Sequence, residues 1–380
     1  MPVPALGHDP AANPVAGVLG GPSAEHDVSI VSGSAIADAL LASGYPVQTW
    51  LLDLGGAWWR LPPGFRREGR PQAAYDDPVG LDAAGPHDAG QALEALAEPE
   101  RRPVVFLALH CPFGEDGTAQ ALCEAAGLAY TGSGVTASAV GMDKAVFKRL
   151  ARGLGLPVAD WVEVRASRWA SDPEAVLVEL AAFASAGRDE RLMVKPARLG
   201  SSVGMTLAHT AIERRAALDE GFRFDDLVLV ERYLAGARDL EVSVIGNEPD
   251  ALELYGPGEI RSGREFYDYQ AKYTPGLSEA TLIADVPAAQ RAAMLKLARV
   301  AYRAVGAEGF ARIDFLLAGE ALVVSEINTI PGFTPISLFP ALCAAGGYDF
   351  AGVCRRVVDL ALARDRSRVR RRLTAADLPR

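Results

Sequence analysis

The stretch ARIDFLLAGEALVVSEIN, residues 311–328, predicts two strands joined by a turn about Gly319. Each strand is mostly apolar and carries two polar residues spaced two apart, which are Arg312 and Asp314 in the first strand and Glu326 and Asn328 in the second. Side chains at that spacing lie on the same face of a strand. A buried strand face rarely carries four polar side chains for stability alone. The stretch therefore predicts a functional site on one face of a hairpin.

The polar face has the composition of a magnesium site if the strands pair in the right register. Asp314 lies opposite Glu326, and Arg312 opposite Asn328, only if the turn contains an odd number of residues. A two-residue turn would put the two acids on opposite faces. Carboxylate and amide oxygens are ligands that Mg²⁺ prefers. A salt-bridge ladder on an open sheet face is the competing interpretation, but Asn328 would add nothing to it.

The opening third of the chain predicts a small α/β domain. Strands are expected at residues 15–19, 47–51 and 104–109. The last of these, VVFLAL, is a continuous apolar run, typical of a strand buried on both faces of a parallel sheet. A helix after Gly21 runs up to Gly44. Residues 53–102 are rich in Gly, Pro and Ala, and we interpret them as a variable insertion with one helix near 89–96.

The rest of the chain alternates apolar strands with helical patterns, so the fold class is α/β with α+β modules. The expected elements are a basic helix at 144–155, strands at 192–195 and 227–230, an antiparallel pair at 241–245 and 251–254, and a helix at 288–305. The run RDRSRVRRR after Leu362 is interpreted as a solvated terminus.

Composition excludes several classes of function. The chain has 380 residues, of which 49% are hydrophobic and 23% charged, and its net charge is −10. A length of this order predicts two or three domains. A net acidic protein has no diffuse basic surface for nucleic acid or an anionic membrane. The longest uncharged stretch, residues 125–142, is too polar to span a bilayer.

The compartment is expected to be the cytoplasm. The first basic residue is Arg60, so the positively charged start of a secretory signal is not found. The four cysteines form no CxxC pair and lie far apart, which fits reduced thiols better than a disulfide framework or a zinc site.

Three further motifs carry polar groups at the ends of predicted strands, where α/β domains bind ligands. VKPARLGSSVG, residues 194–204, offers Lys195 and a loop of backbone N–H groups to a polyphosphate, although such a loop is also compatible with a plain turn. SAEHD, residues 23–27, contains Glu25, which in isolation reads as a first-turn helix acid. LHCPFGEDG, residues 109–117, contains His110, which in isolation reads as a structural histidine.

Together these segments resemble the D-alanine:D-alanine ligases of the ATP-grasp superfamily. The motifs that carry the resemblance follow the family order from residue 15 to 345. They are GGPSAEHDVS (20–29), LHCPFGEDG (109–117), ASAVGMDK (137–144), VKPARLGSSVG (194–204), FYDYQAKY (266–273), ARIDF (311–315) and EINTIPGFTPISLFP (326–340).

The resemblance implies three domains, with ATP held between the second and third. The expected boundaries are an N-terminal α/β domain at 1–133, a central ATP-grasp domain at 134–234, a C-terminal ATP-grasp domain at 235–363 and a basic tail at 364–380. It also implies the reaction of peptidoglycan precursor synthesis. ATP phosphorylates the carboxylate of one D-alanine, and the amine of a second D-alanine attacks the acyl phosphate to give D-alanyl-D-alanine, ADP and phosphate.

The resemblance also assigns nucleotide and metal ligands. The phosphates of ATP would meet Lys144, Lys195, Ser202 and Lys272. The adenine would meet Glu231 and the main chain at Leu234, and the ribose would meet Glu241. Asp314, Glu326 and Asn328 would hold two Mg²⁺ ions, for which Mn²⁺ can substitute.

Catalytic and substrate-binding roles follow by the same resemblance. Arg312 and the backbone N–H of Gly332 would stabilise the oxyanion, and Glu25 would pair with the ammonium of the first D-alanine, beside His110. Ser337 and the main chain at Leu338 would take the carboxylate of the second D-alanine. Ser201 and Tyr273 would close with Glu25 into a hydrogen-bonded group.

One position departs from the family pattern, because Cys111 stands where the family typically has glycine. A thiol at this turn either shifts His110 or acts as an inert small apolar group, and we favour the inert role.

Two alternatives remain open at this stage: a ligase that joins D-alanine to D-lactate or D-serine, and a paralogue that binds nucleotide without catalysis. The intact Tyr273 favours D-alanine over D-lactate, and the complete polar set of the hairpin favours catalysis. The partners expected are D-alanine and ATP, with a homodimer as the usual family assembly.

Overall fold

The computed structural model describes residues 9–98, 102–187, 189–262 and 278–369. Within these ranges the chain forms three β-sheets flanked by helices. No helix in the described ranges is both long and apolar enough to cross a bilayer.

The first sheet is built around three parallel strands, as the sequence predicts. The order across the sheet is β4-β3-β2-β1-β5, with β2, β1 and β5 parallel and the β3 and β4 edge antiparallel. Every residue of β1 and β5 is buried, which is why their sequences are continuously apolar. The strands are β1 (Val15–Gly20), β2 (Val47–Leu52), β3 (Trp58–Arg60), β4 (Ala84–His87) and β5 (Val104–Leu107), and the helices are α1 (His26–Ala42), α2 (Ala89–Leu96) and α3 (Thr118–Ala125).

The insertion at 53–102 contains more structure than the single helix predicted for it. That helix is present as α2, but β3 and β4 extend the parallel sheet and two 3₁₀ helices (Gln72–Asp76 and Val79–Leu81) connect them. Strands of three and four residues are too short to show a reliable alternation of polar and apolar residues.

The second sheet has four strands in the order β6-β9-β7-β8. Its core is a separate apolar cluster that includes Val164, Leu180, Val194 and Val230. The elements are α4 (Val135–Met142), α5 (Lys144–Gly153), β6 (Trp161–Arg165), α6 (Ala166–Ser171), α7 (Pro173–Ser185), β7 (Leu192–Pro196), β8 (Thr206–Ala208), α8 (Ala211–Gly221) and β9 (Leu227–Arg232).

The third sheet is antiparallel, in the order β12-β11-β10-β13-β14. Its core also takes in Phe147 of α5, so this helix bridges the second and third sheets. The elements are β10 (Arg238–Ile245), β11 (Glu253–Ser262), β12 (Ser278–Thr281), α9 (Ala288–Ala304), β13 (Phe310–Ala318), β14 (Ala321–Asn328), α10 (Leu338–Cys343) and α11 (Phe350–Val369).

The hairpin of β13 and β14 pairs its polar residues as predicted, but by a different route. Asp314 lies opposite Glu326 and Arg312 opposite Asn328, which confirms the predicted pairing. The prediction of an odd turn is wrong, because Ala318 pairs with Ala321 and the turn has two residues. A register shift after Asp314 leaves one extra residue in β14, and this β-bulge brings the two acids back to the same face.

The C-terminal helix corrects the interpretation of the basic run. Residues up to Val369 are helical, and Arg364 is only 6% exposed. Its guanidinium donates to the main-chain oxygens of Tyr130, at 2.6 Å, and Gly132, and it lies 4.2 Å from the centre of the Tyr130 ring. Arg368 pairs with Glu124 at 2.7 Å. The interpretation of residues 364–369 as a solvated terminus is therefore wrong. Arg364, buried over the Tyr130 ring, packs this helix against the end of the first α/β region. Residues 370–380 lie outside the described ranges.

Candidate functional site

A cleft opens between the second and third sheets. Apolar side chains such as Met193, Tyr233 and Phe315 form part of its wall, as in most small-molecule sites. Nine of the residues predicted from the sequence line the cleft together: Lys144, Lys195, Ser202, Glu231, Leu234, Glu241, Arg312, Asp314 and Glu326. The structure thus brings the predicted nucleotide and metal residues into one space.

Lys195 is the second-last residue of β7 and forms a buried ion pair in the cleft. Its Nζ lies 2.9 Å from Oε2 of Glu231, and Nζ of Lys148 lies 3.1 Å from the other oxygen, Oε1. Burial alone would raise the pKa of Glu231, but the two lysines outweigh burial and lower it. Lys148 was not predicted as a site residue. The signal was available, because Lys148 follows Lys144 by four residues and shares its face of α5.

Lys144 connects three segments at the other end of the cleft. Its Nζ donates to the main-chain oxygen of Leu199 at 2.7 Å and lies 3.2 Å from Oε2 of Glu326. Burial would lower the pKa of Lys144, but Glu326 raises it above its ordinary value. The amine therefore remains charged beside the loop that follows β7, where an anionic phosphate group would be attracted.

The polar face of the hairpin is a compact ion cluster. Arg312 donates through Nε and an Nη atom to the two oxygens of Asp314, each at 2.7 Å, and its Nε lies 3.3 Å from Oε2 of Glu241. Asn328 donates its amide to Asp314 at 2.9 Å. Burial would lower the pKa of Arg312, but Asp314 and Glu241 raise it well above its ordinary value, so the guanidinium is permanently charged.

The donor chemistry of this cluster fits a hard divalent cation. Asp314, Glu326 and Asn328 supply carboxylate and amide oxygens at neighbouring register positions of β13 and β14. Arg312 and Lys144 balance the charges of the two acids in the protein alone. A simple salt-bridge ladder explains the Arg312–Asp314 pair, to which Asn328 adds one hydrogen bond, but the same three oxygen-bearing side chains also form the donor set of a cation site.

A second group of residues lies where the loop after β7 meets the first domain. The Ser201 hydroxyl donates to Oε1 of Glu25, which confirms the predicted contact between these two residues. The Cys111 thiol donates to Oε2 of the same carboxylate at 3.0 Å. Ser201 and Ser202 both have positive φ, at 53° and 55°. Such backbone strain is concentrated at functional sites. Tyr273 and Lys272, the other residues predicted here, lie outside the described ranges.

His110 and Glu115 support the segment that follows β14. His110 is 2% exposed, with Nδ1 lying 2.9 Å from the main-chain oxygen of Ile330 and Nε2 lying 3.2 Å from Oγ of Ser32. Glu115 accepts backbone hydrogen bonds from Cys111 at 3.0 Å and from Ile330 at 3.2 Å. Burial and the neighbouring charge of Glu25 raise the pKa of Glu115 to about 8. Glu115 belongs to one of the family motifs but was not predicted as a site residue.

Gly332 and Ser337 lie on that same segment between β14 and α10, and Leu338 follows them. The Ser337 hydroxyl accepts from the backbone N–H of Thr334 at 3.0 Å and lies 2.7 Å from the Thr334 hydroxyl. Leu338 is the first residue of α10, and a Cβ on Gly332 would lie 3.3 Å from the Ser337 hydroxyl. The three residues thus share one turn, and their substrate contacts stay a prediction.

Comparison with known proteins places this arrangement in a family. The models for the D-ala D-ala ligase N-terminus and C-terminus match residues 14–133 and 150–359. D-alanine–D-alanine ligases from Kineococcus radiotolerans and Heliobacterium modesticaldum are 40% and 39% identical to the chain. These alignments cover 92% and 94% of this chain and 96% of each relative.

Solved structures agree with this comparison. The D-alanine-D-alanine ligase from Coxiella burnetii superposes with a TM-score of 0.77 and 29% identity, covering 94% of this chain and 97% of that one. The VanG D-Ala:D-Ser ligase from Enterococcus faecalis superposes with a TM-score of 0.76 and 27% identity, covering 92% and 99%. The chain belongs to the D-alanine–D-alanine ligase family and has its ATP-grasp fold.

Proposed function

We propose that this protein joins two D-alanine molecules into D-alanyl-D-alanine and converts one ATP to ADP and phosphate by way of an acyl phosphate. One observation carries the proposal. Lys144 and Lys195 line the same partly apolar cleft as the hairpin that bears Arg312 and three oxygen-bearing side chains. The product is a precursor of peptidoglycan. A cytoplasmic location follows from the need for ATP, and a homodimer is the assembly carried over from the family.

The nucleotide is held in the cleft between the second and third sheets. Lys144, Lys195 and Ser202 contact the phosphates, with Lys272 as a further contact outside the described residues. Glu231 and the main chain at Leu234 face the adenine, and Glu241 faces the ribose. The cleft supports these roles because its wall combines apolar side chains with Lys144 and Lys195.

The first D-alanine binds beside the end of β5, with its ammonium toward Glu25. The Glu25 carboxylate already accepts from Ser201 and Cys111, so its orientation is fixed before substrate arrives. His110 holds the main chain at Ile330, and thereby the turn that carries Gly332, rather than offering a free ring nitrogen. Tyr273 completes the hydrogen-bonded group around Glu25.

Phosphorylation of the D-alanine carboxylate supplies the leaving group that the carboxylate lacks. Asp314, Glu326 and Asn328 would hold two Mg²⁺ ions, which neutralise charge on the phosphoryl group, and Mn²⁺ can take their place. Arg312 and the N–H of Gly332 stabilise the oxyanion that forms when the second amine attacks. Ser337 and the main chain at Leu338 orient the second D-alanine through its carboxylate.

The test is a coupled assay of ADP release by the full chain with ATP and Mg²⁺. ADP release that requires D-alanine, and that L-alanine does not support, is the expected result. ADP release at the same low rate with either enantiomer would overturn the proposal and favour the paralogue that binds nucleotide without ligation.

The D-alanine:D-serine alternative has one observation in its favour, the TM-score of 0.76 to the VanG ligase. The relatives with the higher identity, 39% and 40%, are D-alanine–D-alanine ligases. Substitution of D-serine for D-alanine as the second substrate separates the two activities.

A further inference from the structure

Lys148 is a buried cation that the proposed mechanism does not use. Its side chain is 1% exposed, and it is not among the described residues that line the cleft. Nζ lies 3.1 Å from Oε1 of Glu231, donates to the main-chain oxygen of Ala159 at 3.3 Å, and lies 5.4 Å from the centre of the Trp161 ring. Three contacts on one side of the second sheet thus fix the ammonium group.

The burial of this cation is unfavourable, so its pairing has to be explained. Burial lowers the pKa of Lys148, and the charge of Lys195 lowers it further, while Glu231 opposes the shift. A buried charge that loses its partner destabilises a fold strongly, because nothing replaces the water that it gave up. Glu231 is the acid that both lysines share, since each lysine meets a different oxygen of its carboxylate.

Lys195 lines the cleft, whereas Lys148 does not. A lysine that binds phosphate must turn its charge away from Glu231 or share it. If Lys195 were the only partner, its turn toward phosphate would leave a carboxylate that is 4% exposed without a balancing charge. Lys148 removes this penalty, because its own pair with Glu231 persists when Lys195 moves.

We propose that Lys148 is a positioning residue for ATP, which keeps Glu231 charge-balanced so that Lys195 is available to the phosphates. This inference rests on the proposed role of the cleft in binding ATP. Lys148 acts through Glu231 and Lys195 and does not touch the nucleotide. The position of Lys148 fits this role. Lys148 faces Trp161, and Trp161 is paired with Glu231 across β6 and β9.

The first test is Lys148→Met, which retains an unbranched side chain and removes the charge. We expect the Kd of a non-hydrolysable ATP analogue and the KM for ATP each to rise about tenfold, because Lys195 stays with Glu231. The KM for D-alanine should change less than about twofold, since Glu25 and Ser201 are untouched. An unchanged Kd for the analogue would overturn the proposal.

Arg152→Met is the matched control. Arg152 lies one turn further along α5, and its guanidinium lies 4.0 Å from the centre of the same Trp161 ring. It pairs with Asp160 at 2.9 Å and is half-exposed rather than joined to Glu231. This variant also loses a cation over Trp161, but the pair of Lys148 with Glu231 remains. It should therefore leave the Kd of the analogue within about twofold of the wild type.

A double-mutant cycle with Glu231→Gln separates charge balance from packing. When a neutral glutamine replaces Glu231 there is no charge to balance, so Lys148→Met should then weaken analogue binding by less than about threefold. An equal loss in both backgrounds would overturn the proposal by showing that Lys148 only fills space. Lys148→Met leaves Glu231 paired with Lys195 in the protein without nucleotide, so the single variant is expected to fold.

Binding of the analogue is measured without D-alanine, so the outcome is independent of ligation. A wild-type protein that binds the analogue but makes no dipeptide would contradict the proposed function and leave the Lys148 test intact.

Discussion

Cys111 shows how a single residue connects two parts of the site. Its thiol is 1% exposed and donates to Glu25, and a Cβ built on Gly200 would lie 2.5 Å from its Sγ. Burial and Glu25 raise the pKa of the thiol, so it stays protonated as a donor. The sequence-based interpretation of an inert apolar group is therefore incomplete. The thiol fills the space under the loop and makes a hydrogen bond as well.

This close approach predicts a compensating pair of substitutions. Gly200→Ala should reduce ligation by about tenfold or more, because the new methyl group displaces Sγ or the Ser201 loop. In the Cys111→Gly background the same change should cost less than about threefold, since the sulfur is gone. The measurement is the KM for the first D-alanine in the four variants of the cycle, and purely additive losses would contradict the contact.

Glu115 gives the protein a pH dependence of stability with a definite sign. The pKa is raised from 4.5 to about 8, so the folded protein retains a proton that the unfolded chain releases. The stability from this group is therefore fully present below pH 4.5 and is lost as pH rises toward 8.

The variant Glu115→Gln cannot titrate and should lose this dependence. Its Tm will be below that of the wild type, because a Gln amide meets one of the two backbone N–H donors unfavourably. The difference in Tm between the two proteins should narrow as pH rises from about 5 to about 8, because only the wild type loses stability over that interval. Thermal unfolding of both proteins across that interval is the measurement, and a constant deficit would exclude Glu115 as the titrating group. Glu320→Gln, at an exposed turn, is the control.

At the scale of elements, the chain's patterns predicted strands and helices well but not the irregularities between them. The parallel pairing of β1 with β2 and β5 follows from continuous apolar runs, and α2 falls at 89–96 as expected. The pattern of polar and apolar residues did not predict the β-bulge in β14, because Ser325 is one polar residue among several in a partly exposed stretch of the strand. The polar pairing was still predicted correctly, since function requires the acids to share a face.

The bulge itself is testable by deletion. Removing Ser325 should remove the bulge and leave Glu326 opposite Asp314, because with the two-residue turn kept the residue after Val324 pairs with Asp314. We therefore expect the Mg²⁺ dependence of ATP-analogue binding and most of the far-UV circular dichroism to be retained. Ser325→Ala keeps the residue count and should retain the dependence. Loss of the Mg²⁺ dependence in the deletion variant would contradict the assigned register.

At the scale of the whole molecule, contacts between distant parts of the chain were the least predictable. Arg364 lies in a basic run of sequence that has the character of a solvated terminus, yet it is buried against Tyr130 on the first domain. The apolar cluster that joins Val15, Phe106 and Val357 shows that α11 packs on the first sheet. Composition does not encode which distant surface covers a helix, so such contacts follow only from the folded chain.

The specificity of ligation also concerns the whole molecule, because the residues proposed for it come from all three sheets and include Tyr273, which lies outside the described residues. A neutral amine is the nucleophile for the dipeptide, whereas D-lactate presents a hydroxyl. The retained tyrosine favours the amine, and Tyr273→Phe should raise the share of D-alanyl-D-lactate, most visibly at acid pH where the amine of D-alanine is protonated.

Competition between second substrates tests the central claim most directly. The full chain is incubated at neutral pH with ATP, Mg²⁺ and equal concentrations of D-alanine, D-serine and D-lactate, and the products are separated and identified by mass. We expect D-alanyl-D-alanine as the main product, with one ADP formed for each dipeptide. A main product containing D-serine or D-lactate, or ADP without any ligated product, would contradict it.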